Sequence, residues 1–431
     1  MSAKLAAPVS VMAVSPDQGP PLSIPLSFFF TAPLALALAG ALLLLRADDG
    51  VATLWAPSNV ALTHLGAVGF LLFVILGALY QLLPVVAGAV VPAVGLARAV
   101  HGLLLLGAAA LVWGQWKGTP LAFWLALGAL LSAALLFLGP ATFALARSRV
   151  GGPTAWGLRL ALVSLSVLVG LGGLLSSLRL GSGLPVDGLT LRFAHAHVGF
   201  LCLIGGLATS VSWQVLPMFF LAPPPPRALA WGVTASVGVS LVALCAVALA
   251  GAPAWSVRFA AVPAAVAVWL VHPVWALVSL SRRRRRRKDA TLHGFRLAMI
   301  VAPLCFVAAV GSVLLDDPRL PLAYGLLVVW GWGAALAHGM LTRIVPFLVW
   351  LHLCAPRVGQ PGVPSAKELL TDREVTVGIA LHGLALVAGL VAVTTGSILA
   401  WRGFGAALVL VAGALLWELV TAVRRGRPPT P

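Results

Sequence analysis

Apolar residues fill this chain in runs of 18 or more, separated by short polar or proline-bearing turns. Each run is long enough for a helix that crosses a bilayer, which takes about 20 residues. Hydropathy predicts about twelve such helices, near 26–46, 58–84, 92–113, 120–146, 155–179, 190–220, 228–250, 254–280, 294–315, 321–351, 375–397 and 401–423. The expected fold is all-α, a polytopic membrane protein of about twelve transmembrane helices. Several runs exceed the minimum length, which implies tilt or extension past the hydrocarbon.

The few polar positions inside these runs recur in register. His64 precedes Gln81 by 17 residues and Pro84 by 20, and His197 precedes Gln214 and Pro217 by the same 17 and 20. A third run carries Thr342-Arg343-Ile344-Val345-Pro346, which aligns with Tyr80-Gln81-Leu82-Leu83-Pro84 and Trp213-Gln214-Val215-Leu216-Pro217. Stepping back 20 residues from each proline gives His64, His197 and Leu326, and stepping back 22 gives Leu62, His195 and Tyr324. His101-Gly102, Trp231-Gly232 and His382-Gly383 open the following helices in the same way. Internal repeats fix an architecture early, and these predict three four-helix repeats in a pseudo-threefold ring. The expected divisions are a flexible tail over 1–25, repeats over 26–150, 151–288 and 289–424, and a short tail over 425–431.

Composition supports a membrane assignment, with 61% hydrophobic and 9% charged residues. The net charge of +17 sits in short loops, most densely from Arg282 to Lys288. Basic loops of that kind mark the cytoplasmic side, and no basic face with interleaved aromatics points to nucleic acid. On this reading Arg98, Arg147, Arg149, Arg227 and Arg424 share the cytoplasmic side, and both termini are cytoplasmic, as in a bacterial inner-membrane protein. The opposite side keeps a sparser set that includes Asp48, Asp49, Lys117, Arg179 and Asp187. The four cysteines have no paired spacing, so neither a disulfide framework nor a thiolate metal site is expected.

An ionisable residue within a span is a functional hypothesis by default. His64 and His197 lie about six or seven residues into equivalent helices, at matched depth in the outer half. Two imidazoles at one depth on neighbouring helices can hold a heme iron between them, and Arg192 and Arg179 are close enough in sequence to meet propionates. His195 and His197 are two apart, about 200° around a helix, so one iron takes only one of them. The plainer reading is that these histidines bond helix to helix and bind nothing. An inner polar layer contains Gln81, His101, Gln214, His338, Arg343 and His382. Its glutamines are expected to join helices, and Arg343 needs an anion, a carbonyl or water. His272, His293 and His352 are expected at a solvated boundary. Glu418 is the exception to a near absence of carboxylates within the spans.

The stretch His195-Ala196-His197, with Gly199 following and Leu216-Pro217 closing the helix, resembles the paired-histidine helix of subunit I in heme–copper oxidases and nitric oxide reductases. His64 looks like that family's other low-spin heme ligand. The resemblance implies a b-type heme between His64 and His197, with His195 serving a second cofactor or a hydrogen bond. It also implies a redox partner: another subunit, a quinol or a cytochrome. The pattern departs from the family's, because its histidine pair lies on the tenth helix and here lies on the sixth. The family's copper site also uses two adjacent histidines on the seventh helix, where this chain has none, so copper is not supported. The NnrS-like group of twelve-span heme-associated membrane proteins is similar in the same broad sense. The expected function is electron transfer or small-gas chemistry at heme. Two alternatives remain open: a transporter or channel for a small anion or metal ion along the Gln81, Gln214 and Arg343 layer, and a cofactor-free structural subunit of a respiratory complex.

Overall fold

The computed structural model describes residues 19–48, 53–284 and 289–428. Most of the expected N-terminal tail, Asp49, the later part of the basic run (285–288) and residues 429–431 lie outside the described residues. Among the described residues twelve helices are long and apolar enough to span a bilayer, and the chain is an integral membrane protein. They are α1 (Ser23–Leu45), α2 (Pro57–Ala87), α3 (Val94–Lys117), α4 (Pro120–Arg147), α5 (Pro153–Arg179), α6 (Gly188–Phe220), α7 (Arg227–Leu249), α8 (Ala254–Ser281), α9 (Thr291–Leu314), α10 (Arg319–Arg357), α11 (Asp372–Thr395) and α12 (Ile398–Gly426). The first helix begins at Ser23, inside the segment expected as tail, and the last continues to Gly426. The basic residues of the expected C-terminal tail therefore begin within helix.

Only helices or closed barrels satisfy the backbone in hydrocarbon, and the loops here are correspondingly short. Several helices start with proline, which fits a first turn because its missing N–H has no partner there anyway. α2, α4 and α5 open on Pro57, Pro120 and Pro153. Thr371 opens α11 with a reciprocal cap, in which its side chain and that of Glu374 each accept from the other's backbone N–H.

The packing repeats every four helices. α1, α5 and α9 each pack on the next helix and on the one after it. α4 packs against α5, α8 against α9, and α12 returns to α1, which closes the ring. α2, α6 and α10 also share one internal design. Each contains an eight-residue π-helical segment, at Leu65–Leu72, Val198–Gly205 and Leu327–Ala334. Each then continues as a 15-residue α-helical segment, at Phe73–Ala87, Gly206–Phe220 and Ala335–Val349. Pro84, Pro217 and Pro346 fall at the same place in those segments. The π-turns begin immediately after His64, His197 and Leu326, the positions that the proline spacing aligns.

Ring closure depends on a seam of small residues, as is usual where membrane helices approach closely. A Cβ on Gly40 of α1 would lie 2.5 Å from the Gly405 carbonyl of α12, and one on Gly405 would lie 2.7 Å from the Gly40 carbonyl. Backbone cannot move aside as a flexible side chain can. Gly405→Ala is therefore expected to destabilise the protein by roughly 1–3 kcal/mol, as overpacking does, seen as a lower melting temperature in detergent. Gly403→Ala, two residues away with open space around it, is the control and should leave melting unchanged.

Candidate functional site

A cavity of about 550 Å³ lies in the half of the ring built by α2 to α6, with one edge of α10 completing its wall. That volume is in the range of roughly 300–1,000 Å³ typical of small-molecule and cofactor sites. Its wall is mostly apolar, and His64, His195, Arg179, Arg192, Trp55 and Tyr324 are the polar or amphipathic side chains that matter to its chemistry.

His64 is oriented from within its own helix. Its Nδ1–H donates to the Val60 carbonyl, one turn back, at 2.8 Å. The proton is thereby fixed on Nδ1, and the Nε2 lone pair is left for a ligand, the arrangement that metal-binding histidines adopt. His195 projects from α6 on the opposite side. Gly172 of α5 makes room for it, because a Cβ there would lie 3.2 Å from the imidazole Cε1. Its Nδ1 is buried and makes no hydrogen bond, although the Leu168 backbone is close by. The His64 and His195 ring centres are 6.5 Å apart and the ring planes differ by 28°.

His197 does not line this cavity. Its Nδ1–H donates to the Phe193 carbonyl at 2.7 Å, a local copy of the His64–Val60 bond, and Arg258 of α8 is its nearby charge. The expected His64–His197 clamp is thus replaced by a His64–His195 pair. The reason is rotational. Spacing to a proline records position along a helix, whereas facing depends on which flank packs on which neighbour. Residues two apart point about 200° from one another, and α6 turns its His195 flank to α5 and the cavity.

The outer rim is basic. Arg179 and Arg192 both line it and are close enough for their charges to repel. Arg192 sits over the Trp55 ring at 5.8 Å, and Trp55 meets Phe193 edge-on at 5.5 Å. Asp187 caps α6, accepting from the backbone N–H groups of Leu189 and Thr190. The Thr190 hydroxyl is the first cause holding its carboxyl below the ordinary range, followed by those N–H groups, with Arg192 adding a smaller charge effect.

The inner polar layer resolves into separate pairings. His101 Nε2 bonds the Thr31 hydroxyl of α1 at 2.8 Å and stands edge-on to Phe28 and Phe73. Gln81 is buried with its Oε1 unbonded, and Gln214 is exposed. Arg343 donates to Asp289 at 3.2 Å and to the Phe219 carbonyl at 3.3 Å, meeting its need for an anion and a carbonyl. Gln81, Gln214 and Arg343 line neither this cavity nor the groove between α11 and α12. His338 and His382 meet one another and Glu418 in the core. His272 is not at a solvated boundary: it is 2% exposed and its Nε2 bonds the Ser212 hydroxyl at 2.7 Å. The sequence placed it beside a basic turn, but α8 continues past it to Ser281. His293 is exposed, whereas His352 is half-buried with Nδ1 bonded to the Leu348 carbonyl.

A heme fits the donor set of the cavity. The two rings, 6.5 Å apart centre to centre, are too far apart for ring contact and leave room between them. Among the described residues no three His, Cys, Asp or Glu side chains gather where they could hold one metal ion. A bare ion commonly takes about four ligands, so a two-histidine site suits a metal whose remaining ligands come from a macrocycle.

The Arg343–Asp289 pair ties α10 to the start of α9 and is only partly exposed. Arg343→Met is expected to cost roughly 1–3 kcal/mol, between the surface and buried limits for ion pairs. Asp289→Asn should cost a similar amount, and the double variant less than the sum, the signature of a direct interaction in detergent melting curves. No family model matches this chain, and no curated protein was found to be similar to it.

Proposed function

We propose that this protein binds one b-type heme between His64 and His195 and works in electron transfer. The observation that carries the reading is the pair of nearly parallel imidazoles 6.5 Å apart across an apolar cavity. His64 and His195 would hold the heme iron, the His64 Nδ1–H bond to Val60 keeping its ring in the ligating tautomer. Arg179 and Arg192 would neutralise the propionates at the rim. When bound, heme supplies a one-electron change at iron. Held by these two imidazoles, the iron would suit electron transfer better than gas binding. The apolar wall excludes water and keeps the redox centre in a low dielectric, one of the levers that set its potential. Electrons would arrive from a separate carrier: a quinol, a cytochrome or a partner subunit. By the positive-inside rule the basic loops support a bacterial inner-membrane protein with both termini cytoplasmic.

The test is the optical spectrum of detergent-purified protein, oxidised and then dithionite-reduced, from cells with ample heme. Wild type should show the sharp reduced bands of six-coordinate b-type heme. His64→Ala and His195→Ala should each lose at least tenfold in bound heme, while His197→Ala keeps it. Added imidazole should restore a six-coordinate spectrum to His195→Gly, which separates lost ligation from lost folding. Heme-free wild type would sink the proposal, and so would a variant set in which His197, not His195, is required.

A further inference from the structure

Glu418 is the only acidic side chain fully buried among the described residues, at 1% exposed. Its Oε2 lies 3.1 Å from His338 Nε2. His338 Nδ1 lies 3.3 Å from His382 Nδ1, and His382 Nε2 lies 3.1 Å from the Trp330 carbonyl. The Trp330 indole stacks on the His382 ring at 4.0 Å and 5°, holding it in place. Three transmembrane helices, α10, α11 and α12, therefore contribute one continuous line of four polar groups.

The hydrogens on this line can be assigned from its far end. A carbonyl only accepts, so His382 carries its proton on Nε2 and, when neutral, offers a lone pair at Nδ1. His338 must then donate from Nδ1. One hydrogen remains to be placed, between His338 Nε2 and Glu418 Oε2. Removing it would leave a lone pair facing a carboxylate oxygen. Adding a further one would either set two N–H groups against each other at the histidine pair or leave a buried imidazolium with no counter-charge. The line thus holds a single proton there, whichever of the two atoms carries it.

We propose that Glu418, His338 and His382 form a one-proton binding site, with the proton resting on Glu418 and exchanging through a groove between α11 and α12. Glu418 Oε1 is buried and makes no hydrogen bond. An ionised carboxylate left with an unpaired oxygen is costly in an apolar interior, whereas a neutral acid leaves only a carbonyl oxygen unpaired. The groove, of about 410 Å³, is lined by Glu418 together with Gly378, Ala414 and Trp417, and runs to Thr371, Arg373 and Glu374 at the first turn of α11. Gly378 is required, since a Cβ there would collide with Oε1. At the mouth, Arg425 of α12 pairs with Glu374 at 2.8 Å, and Arg373 adds a second positive charge. α1, packed on α12, carries no titratable residue between Ser23 and Leu45, and no ionisable group of α9 hydrogen-bonds to the line. The line ends on a carbonyl that cannot pass a proton on, so it stores a proton and does not conduct one. The site does not depend on the heme reading.

Infrared difference spectroscopy of the full-length protein in detergent, with or without heme, tests this. Wild type minus Glu418→Gln at pH 7 should show the C=O band of a protonated carboxyl. The glutamine amide can still donate to His338, so folding should be kept. The band should shift within minutes in D₂O, and Ala414→Phe, which fills the groove, should slow that shift at least tenfold. A difference spectrum with carboxylate bands and no protonated C=O would overturn the resting state. A band that fails to exchange overnight would overturn the groove as its route. Should Glu418→Gln fail to fold, a wild-type carboxyl band surviving to pH 8 answers the first question. Its absence there would overturn the assignment equally.

Discussion

A polar side chain between the ends of a membrane helix has to find its partner within the protein, on its own backbone or on a neighbour, because hydrocarbon offers none. Much of this ring can be read from that constraint. Thr31 meets His101, Ser212 meets His272, Arg343 meets Asp289, and His338 meets both His382 and Glu418. Each contact ties a helix to a neighbouring helix or, at Asp289, to the segment leading into one, and so fixes its rotation. Between these bonded points the helices approach through glycine, at Gly40 with Gly405 and at Gly294 with Gly339. His64 and His195 are different. Their local bonds or neighbours orient them, yet no other helix supplies a hydrogen bond to either ring, and what lies between them is an apolar cavity.

Much of this was legible in the chain. The twelve helices follow from run length alone, and the common register of α2, α6 and α10 follows from His64, His197 and three prolines. The choice between His195 and His197 was not legible in the same way. Both satisfy the spacing argument, and only the packing of α6 against α5, with Gly172 clearing space, turns one of them to the cavity. His272 was misplaced because a basic turn a few residues on suggested solvent, while the intervening helix keeps it in the core. Glu418 stood out as a carboxylate within a span, and His338 and His382 as members of a polar layer. Their meeting depends on three helices converging, which no local spacing records.

The two clusters use polar groups in opposite ways. In the line from Glu418 to Trp330 every histidine nitrogen has a partner, and order along the line dictates where hydrogens sit. In the cavity the histidines are held apart and kept apolar in their surroundings. The π-helical segment of α10 serves both, since Trp330 supplies the terminal carbonyl while Val328 and Val329 belong to the cavity wall. Rotation of that segment would disturb both at once.

Three of the π-helical segments, those of eight residues, share one register. A π-turn arises when a helix gains a residue without losing its continuity, and such segments concentrate at functional sites. Finding them at one register in α2, α6 and α10 gives these three helices the same local widening. The imidazoles do not share that uniformity. Position 64 has its counterparts at His197 and Leu326, and position 195 at Leu62 and Tyr324. The widened helix is thus common to all three positions, while the histidine pair occupies only one of the places the scaffold offers.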